Sequence, residues 1–377
     1  MIVAQRAWLD DLQARVTNPM DRAALEGVDV AAIIGDVPST YAKSPRLWNA
    51  AFQVLGWKAA YIPLDVPQGR LGHVLQVLRD SERFMGGSVT VPYKTEILPL
   101  LDEVDPMAAR IGAVNVVVRT RDGRLIGSNT DGLAGVRALA GGRIGEHQPP
   151  CQTLSGARAL LIGSGGAARA VGVYLWDLLG DGELVIANRS RQHAEEIIRR
   201  LAAMRSGHLE AVEETAIAER APRMDVVINA TVKGQAGLRR LADGQRTCLE
   251  PYSALAPAHP ALLAGAETES EQAFYARWCQ ASSQDISRNQ ERSLEVCEHL
   301  PRRTICYDLI YAPLETTFLR HARWSGHVTV NGKAMNVGQA VEAFVRHVCR
   351  LWLEQLGWDL DETAQRVTRT MAEAWAK

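Results

Sequence analysis

Three short polar stretches carry groups that could do chemistry. They are Lys43-Ser44-Pro45, Thr90 to Lys94 in the run TVPYK, and Asn115 with Asn129-Thr130-Asp131. Each falls where an apolar, strand-like run ends. Ligands of open α/β sheets bind beyond the carboxyl ends of the strands. A lysine and an aspartate converging there, Lys94 and Asp131, could run acid–base chemistry at a hydroxyl-bearing carbon. Taken singly, an exposed lysine and a helix-capping aspartate are the commoner explanations.

The run ALLIGSGGAARAVG points to a ligand of another kind. An apolar strand leads into Gly163-Ser164-Gly165-Gly166-Ala167-Ala168, and a helix follows. Glycines let the backbone turn tightly and approach a pyrophosphate, and the helix N-terminus offers free N–H groups. The alternative is a strand–helix turn with no ligand. The next strand ends Ala187-Asn188-Arg189-Ser190-Arg191, without the carboxylate that bonds the ribose hydroxyls in NAD sites. Arg189 can bind a 2′-phosphate and stack on adenine, while Asn188 and Ser190 can donate hydrogen bonds. This favours NADP over NAD, against the reading of Arg189 and Arg191 as ordinary solvated charges.

Elements must hold these groups in place. Residues 1–28 read as an amphipathic helical preface with Trp8, Leu9, Leu12 and Val16 on one face. Strands are expected at 30–34, 59–64 and 88–91, helices at 47–55 and 69–78, and a loop at 36–45. Asp122-Gly123 suits the turn of a hairpin between 115–119 and 124–128, and a helix is expected at 133–139. The alternation argues for a mostly parallel, layered α/β domain. Residues 141–156, with Gly141, Gly142, Gly145 and Gly156, read as a domain boundary. Beyond them lie expected strands at 157–162, 183–187, 225–229 and 304–311, and helices at 167–179, 337–356 and 362–375. Residues 235–303 fit the pattern badly. They read as an irregular insertion with one helix, opened by a Thr268/Glu271 capping box and carrying Phe274 and Trp278 one turn apart.

Composition narrows the function. The 377 residues suit two or three domains. The net charge of −1 argues against nucleic-acid binding by bulk positive charge. Cys151, Cys248, Cys279, Cys297, Cys306 and Cys349 lack metal or disulfide spacing, so free thiols in a reducing compartment and no metal are expected. No export signal or membrane span is visible, which makes a cytoplasmic protein the expectation. No phosphate-binding GxxxxGK[ST] run or serine nucleophile elbow occurs.

The chain resembles the shikimate and quinate dehydrogenases. The matching runs are GDVPSTYAKSP, SVTVPYK, IGAVNVV, GSNTDG, GSGGAARA, ANRS, INAT, YDLIYAP and NGKAMNVGQA, in family order over most of residues 30–350. The resemblance implies an α/β substrate domain over 1–140 and 337–377, the C-terminal helix returning to it. It implies a Rossmann NADP-binding domain over 141–336, with the insertion at about 235–303. It makes Lys94 the catalytic lysine and Asp131 its partner at the hydroxyl whose carbon gives up hydride. Ser44 and Thr90 would bond the substrate carboxylate and ring hydroxyls, and Asn115 a ring hydroxyl. Tyr311 and Gln339 would close the pocket, packing at a seam being the alternative. Asn229-Ala230-Thr231 and Gly332 would lie beside the cofactor.

The activity implied is NADP-dependent interconversion of a hydroxyl and a ketone on a cyclic polyol carboxylic acid. Shikimate and 3-dehydroshikimate come first, placing the protein in aromatic amino acid biosynthesis, with quinate or amino-shikimate as alternatives. A non-catalytic dinucleotide sensor is a competing reading, but it would not need both Lys94 and Asp131. An amino-acid dehydrogenase is disfavoured by TVPYK and SNTDG. The expected partners are a small-molecule substrate, with no nucleic acid or membrane, and a homodimer is left open. Four positions depart from the family pattern: Ala42 and Ser88 stand where Ser and Asn are usual, Val232 replaces a Ser, and Asn336 a Leu. Ser39 or Thr40 are candidates to stand in for the hydroxyl missing at Ala42. A hydrogen bond lost from a charged group costs about 1.5–3 kcal/mol, so the substrate pocket is where divergence is expected.

Overall fold

The computed structural model describes residues 2–141, 149–241, 243–265 and 269–376. Gly142, Gly145 and Thr268 lie outside them. Two compact units make up the chain: Met1–Ala134 with Asn336–Lys377, and Gly135–Met335.

The first unit is built on six strands: β1 (Asp29–Gly35), β2 (Ala59–Asp65), β3 (Phe84–Val89), β4 (Glu103–Val104), β5 (Val116–Arg119) and β6 (Leu125–Ser128). Their order is β2-β1-β3-β5-β6-β4. The β2-β1-β3 half is parallel, whereas β5 runs antiparallel to both β3 and β6. Three of the five pairings are parallel, β4 with β6 included, and the Asp122-Gly123 hairpin supplies the antiparallel ones through β5. β3 begins earlier than its apolar run suggests. A Cβ on Gly87 would lie 1.8 Å from the Ala32 carbonyl oxygen and one on Gly86 2.3 Å from the Val117 carbonyl oxygen, so the two glycines admit the close approach of β1 and β5 while hiding the strand's periodicity. The 36–45 loop contains a single helical turn, Pro38–Tyr41. Helices Ser44–Val54 and Leu71–Asp80 cover the sheet with Leu47, Trp48, Val74 and Leu78 buried. The expected 337–356 helix is three pieces. An α-helix (Lys333–Glu342) passes through a π-helical stretch (Ala343–Val348) into Arg350–Gln355. That stretch seats Phe344 5.1 Å from the rings of both Trp48 and Phe52.

The second unit contains β7 (Arg158–Ile162), β8 (Glu183–Asn188), β9 (His208–Glu213), β10 (Val226–Asn229), β11 (Leu238–Arg240), β12 (Gln245–Cys248), β13 (Leu263–Ala264), β14 (Ile305–Asp308) and β15 (Val328–Val330). Six form one parallel sheet of order β15-β14-β10-β7-β8-β9. This is the doubly wound order of a dinucleotide-binding Rossmann fold. Leu160, Leu161, Val185, Ile186, Val227 and Ile228 are fully buried, as strands covered on both faces require. β14 stops short of the expected Tyr311 because the Asp308 carboxylate accepts the Ile310 N–H at 2.9 Å and turns the chain out of the sheet.

The expected irregular insertion is ordered. β11, β12 and β13 form a small antiparallel sheet, and a 29-residue helix spans Glu271–His299. Its cap is Ser270, whose hydroxyl accepts the Ala273 N–H at 3.2 Å. The first half of this helix buries Phe274 and Trp278 against Cys248 and Tyr252. Its last turns place Val296 and Cys297 in the Rossmann core with Ile217, Leu255 and Phe318. The helix is thus partly the crossover before β14 and not a detachable excursion. No described helix is long and apolar enough to cross a membrane, and all six cysteines are free.

Candidate active site

In the first unit a buried polar network surrounds Asp131, the first residue of the helix Asp131–Ala140. Lys94, on the helical turn Tyr93–Glu96 after β3, donates from Nζ to Asp131 Oδ2 at 2.5 Å. Asn115, just before β5, donates from Nδ2 to Asp131 Oδ1 at 2.8 Å. Both carboxylate oxygens are therefore engaged. The Asp131 side chain is 6% exposed and that of Lys94 20%, so the lysine is the more accessible member of the pair.

The supports are backbone and amide groups. The Lys94 carbonyl accepts the Val114 N–H at 2.7 Å, tying its turn to the residue before Asn115. Asn115 Oδ1 accepts the Thr130 N–H at 2.8 Å, and Asn129 Oδ1 accepts the Asp131 N–H at 3.1 Å. Gln339, on the returning helix, closes the group. Its Oε1 accepts from Asn115 Nδ2 at 3.4 Å and its carbonyl from the Thr130 hydroxyl at 3.1 Å. Lys94, Asp131, Asn115 and Gln339 are thus one cluster. Thr130 belongs to it as well. The Asn-Thr-Asp run carried that signal, but the contact of Thr130 with Gln339 spans 209 residues.

Ser44 and Thr90 lie outside this network. Thr90 is half-buried one residue past β3, its N–H donating to the Ile34 carbonyl at 2.9 Å. Ser44 is buried at the start of its helix, facing the hydroxyl of Tyr61. Neither candidate for the Ala42 deficit is free. Ser39 donates to Asp65 Oδ2 at 2.5 Å, and Thr40 donates to the Val37 carbonyl at 2.9 Å.

In the second unit the glycine turn joins β7 to the helix Gly166–Leu179, which Gly165 precedes in extended conformation. Gly163 has φ +119°, and a Cβ there would lie 2.9 Å from the Ala230 carbonyl oxygen, so glycine is required. Ser164, Gly165, Gly166 and Ala167 are all at least partly exposed, leaving the first-turn N–H groups open to an anion. At the end of β8, Asn188 Nδ2 donates to the Ser190 carbonyl at 3.0 Å and fixes the turn. Arg189 is exposed and ion-paired with no described residue, whereas Arg191 pairs with Glu195 at 3.0 Å. The arrangement fits a dinucleotide carrying a 2′-phosphate, with Arg189 as the available cation.

Asn229 is fully buried, and its amide is engaged within the unit. It donates to the Lys233 carbonyl and to Asp308 Oδ1, and it accepts from the Thr231 N–H and hydroxyl. It shapes the turn holding Ala230 and Thr231 rather than offering its own amide to a ligand. Tyr311 is half-buried after β14. Gly332 packs so closely on the Leu309 carbonyl oxygen that a Cβ would lie 2.0 Å away. Sequence reasoning missed two buried acids here. Asp308 accepts from Asn229, Ile310 N–H and Thr316, and burial lifts its carboxyl to about 7 against the pull of those donors. Glu214 holds Lys233 at 2.5 Å.

A Rossmann unit with an open glycine turn, and an α/β unit with a supported Lys–Asp pair, define the class of two-unit dinucleotide-dependent dehydrogenases. The chain belongs to the shikimate and quinate dehydrogenase family. Residues 33–117 match the model of the shikimate dehydrogenase substrate binding domain, and residues 146–241 that of shikimate / quinate 5-dehydrogenase. It is 32% identical over 315 residues to the shikimate dehydrogenase (NADP(+)) of Lysinibacillus sphaericus, covering 83% of this chain and 90% of that one. It is 33% identical over 317 residues to that of Geobacillus kaustophilus, covering 84% and 91%. Among solved structures, shikimate 5-dehydrogenase from Thermus thermophilus in complex with NADP(H) and shikimate matches with a TM-score of 0.59 at 27% identity, covering 91% of this chain and 100% of that one.

Proposed function

We propose that this chain is an NADP-dependent dehydrogenase that interconverts a ring hydroxyl and a ketone on a cyclic polyol carboxylic acid, with shikimate and 3-dehydroshikimate as the first pair. The observation that carries this reading is the Lys94–Asp131 pair, whose second carboxylate oxygen is held by Asn115. The curated relatives named above act with NADP by name, and the exposed Arg189 with no acid at the end of β8 suits the same cofactor. The substrate domain is assigned to 1–140 and 337–377 and the dinucleotide domain to 141–336. A protein with six free thiols and this activity belongs in the cytoplasm.

Bound NADP supplies the hydride acceptor in one direction and the donor in the other. The residues manage the proton and the geometry. In oxidation Lys94 Nζ, as the neutral amine, takes the proton of the reacting hydroxyl and becomes the ammonium, and in reduction that ammonium returns a proton to the forming alkoxide. Asp131 holds Nζ in place and compensates its positive charge. Asn115, with Thr130 and Gln339 behind it, keeps the Asp131 carboxylate from rotating away, so the pair is set before substrate arrives. Thr90 and Ser44 are assigned to the substrate's polar substituents.

The test is NADPH formation by the purified protein with shikimate and, separately, quinate, each with NADP and then NAD. Turnover of shikimate with NADP supports the reading. Turnover of quinate alone moves the substrate to that acid. Dinucleotide binding with no turnover of either acid would sink the substrate assignment.

A further inference from the structure

From β7 the chain builds the parallel sheet of the second unit outward through β8 and β9. It then crosses back to β10 and builds the other way through β14 and β15. A dinucleotide lies in the crevice beyond the carboxyl ends of the strands at such a switch point. One lip of that crevice is the glycine turn after β7. The other is the turn after β10, residues 230–233. The lips are packed together, since a Cβ on Gly163 would lie 2.9 Å from the Ala230 carbonyl oxygen and 3.1 Å from Thr231 Cγ2. The placing of the second lip therefore sets the room left beside the glycine turn.

The Rossmann sheet does not hold the second lip alone. Within the lip the Lys233 N–H donates to the Thr231 hydroxyl at 3.1 Å. Just past it the Gly234 N–H donates to the Leu249 carbonyl at 2.8 Å. The Lys233 ammonium reaches in two further directions, to Glu214 after β9 at 2.5 Å and to the Ala256 carbonyl at 2.8 Å. Leu249 and Ala256 both belong to the insertion. The Ala256 carbonyl also accepts from Nδ2 of Asn289, a buried residue of the helix Glu271–His299, at 3.1 Å. That helix is anchored in turn, because Val296 and Cys297 lie in the Rossmann core. Lys233 thus joins the lip to two fixed bodies at once, the end of β9 and the insertion. A buried ion pair adds little net stability, because desolvation offsets the attraction. What this one fixes is a geometry.

We propose that Lys233 is a positioning residue for the dinucleotide. It holds the lip after β10 at the spacing the cofactor needs, and the insertion, through Ala256 and Asn289, is the brace that it grips. The inference rests on the dinucleotide part of the reading above and not on the choice of cyclic acid. Lys233 acts on the lip and not on the 2′-phosphate, so NADP and NAD depend on it alike.

The experiment uses Lys233→Met/Glu214→Leu, in which apolar side chains replace the ion pair and the tether to Ala256 is gone. NADPH and NADH binding are measured by fluorescence titration beside the thermal melt. The expected result is a melting temperature near that of wild type, with both dinucleotides bound about fivefold or more weakly, the lower end of typical coupling between linked sites. Wild-type dinucleotide affinity in a variant that keeps its melting temperature overturns the proposal, because Lys233 then serves stability alone. So does a loss confined to NADPH, which would make Lys233 a phosphate-side charge. Where the double variant melts well below wild type, hydrogen exchange on the wild-type protein decides. NADPH should slow exchange at the N–H groups of residues 253–256 together with those of 230–234, since a ligand that fixes the lip also fixes what the lip is tied to. Exchange at 253–256 that ignores NADPH overturns the proposal. Wild-type protein that binds neither dinucleotide overturns the dinucleotide reading and this proposal together, whereas wild-type binding with an indifferent double variant overturns this one alone.

Discussion

Lys94 Nζ sits 2.5 Å from Asp131 Oδ2, while the other oxygen of the same carboxylate accepts from Asn115 at 2.8 Å. The aspartate therefore has one face for the lysine and one for its own anchor, and only the lysine retains free donor capacity. A pair made only for stability would gain little from leaving the lysine side chain more exposed than its partner.

Lys94→Ala should lower kcat by roughly 10²–10⁴-fold, the usual range for a positioned acid–base group. Dinucleotide affinity, measured by NADPH fluorescence, should stay within about twofold, because no cofactor-unit residue is touched. Loss of both together would mean a folding defect and would leave Lys94 without its assigned role.

Asn115→Ala removes the anchor but not the lysine. Asp131 loses a buried hydrogen bond to a charged group, worth about 1.5–3 kcal/mol, and its carboxylate gains freedom to rotate. Turnover should fall tenfold or more by the same magnitude, with less loss than in Lys94→Ala. Equal loss in the two variants would point instead to a direct substrate role for Asn115 as the main term.

Arg189→Ala should raise KM for NADP by roughly tenfold to a hundredfold while leaving KM for NAD nearly unchanged. The contrast with Arg191→Ala is the sharper measurement. Arg191 is already paired with Glu195 on an exposed helix face, so its removal should change neither constant. Similar effects from both would mean bulk charge, and not a seated 2′-phosphate, sets the preference.

Much of this site is legible from short runs, because its polar groups cluster at the ends of apolar strands. TVPYK and SNTD mark Lys94 and Asp131, and the glycine turn marks the dinucleotide unit. What is not legible depends on pairing between distant segments. Tyr61 reads as an ordinary aromatic on a buried strand; its nearness to Ser88 comes only from the β2-β1-β3 order, in which β1 lies between the two. Gly86 and Gly87 interrupt the apolar pattern of β3 because the neighbouring backbones leave no room for a side chain. The helix Glu271–His299 defeats a periodicity reading for another reason. Its buried face changes partners midway, from the small cluster around Trp278 to the Rossmann core at Val296.

Asp308 predicts a pH dependence. Its carboxyl titrates at about 7 in the folded protein against an ordinary value of 3.8, so the folded state binds its proton more tightly. The stabilisation linked to that proton is fully present below about pH 4 and is lost as pH rises toward 7. Asp308→Asn cannot titrate. The melting temperature of the variant relative to wild type should therefore increase between pH 5 and pH 8, as the wild-type protein alone loses stability. A difference that stays flat over that range would show that the three donors around Asp308 already hold it ionised.

Lys233 and Glu214 make the last prediction. Their side chains are 13% and 9% exposed, 2.5 Å apart, and Lys233 also donates to the Ala256 carbonyl at 2.8 Å. The pair thus ties the turn after β10 to the segment that Asn289 grips through the carbonyls of residues 253, 256 and 257. Burial disfavours the charged lysine, and its pKa is lowered despite the nearby glutamate. Breaking such a pair strands one charge, at about 3–5 kcal/mol, or roughly 6–20 °C of melting temperature for a unit of this size. Lys233→Met and Glu214→Gln should each show a loss of this order. The double variant Lys233→Met/Glu214→Leu should recover most of it, because two apolar side chains of similar volume remove the desolvation penalty of both ions. If the single losses simply add in the double variant, the ion pair is not coupled, and the Ala256 contact alone accounts for the role of Lys233.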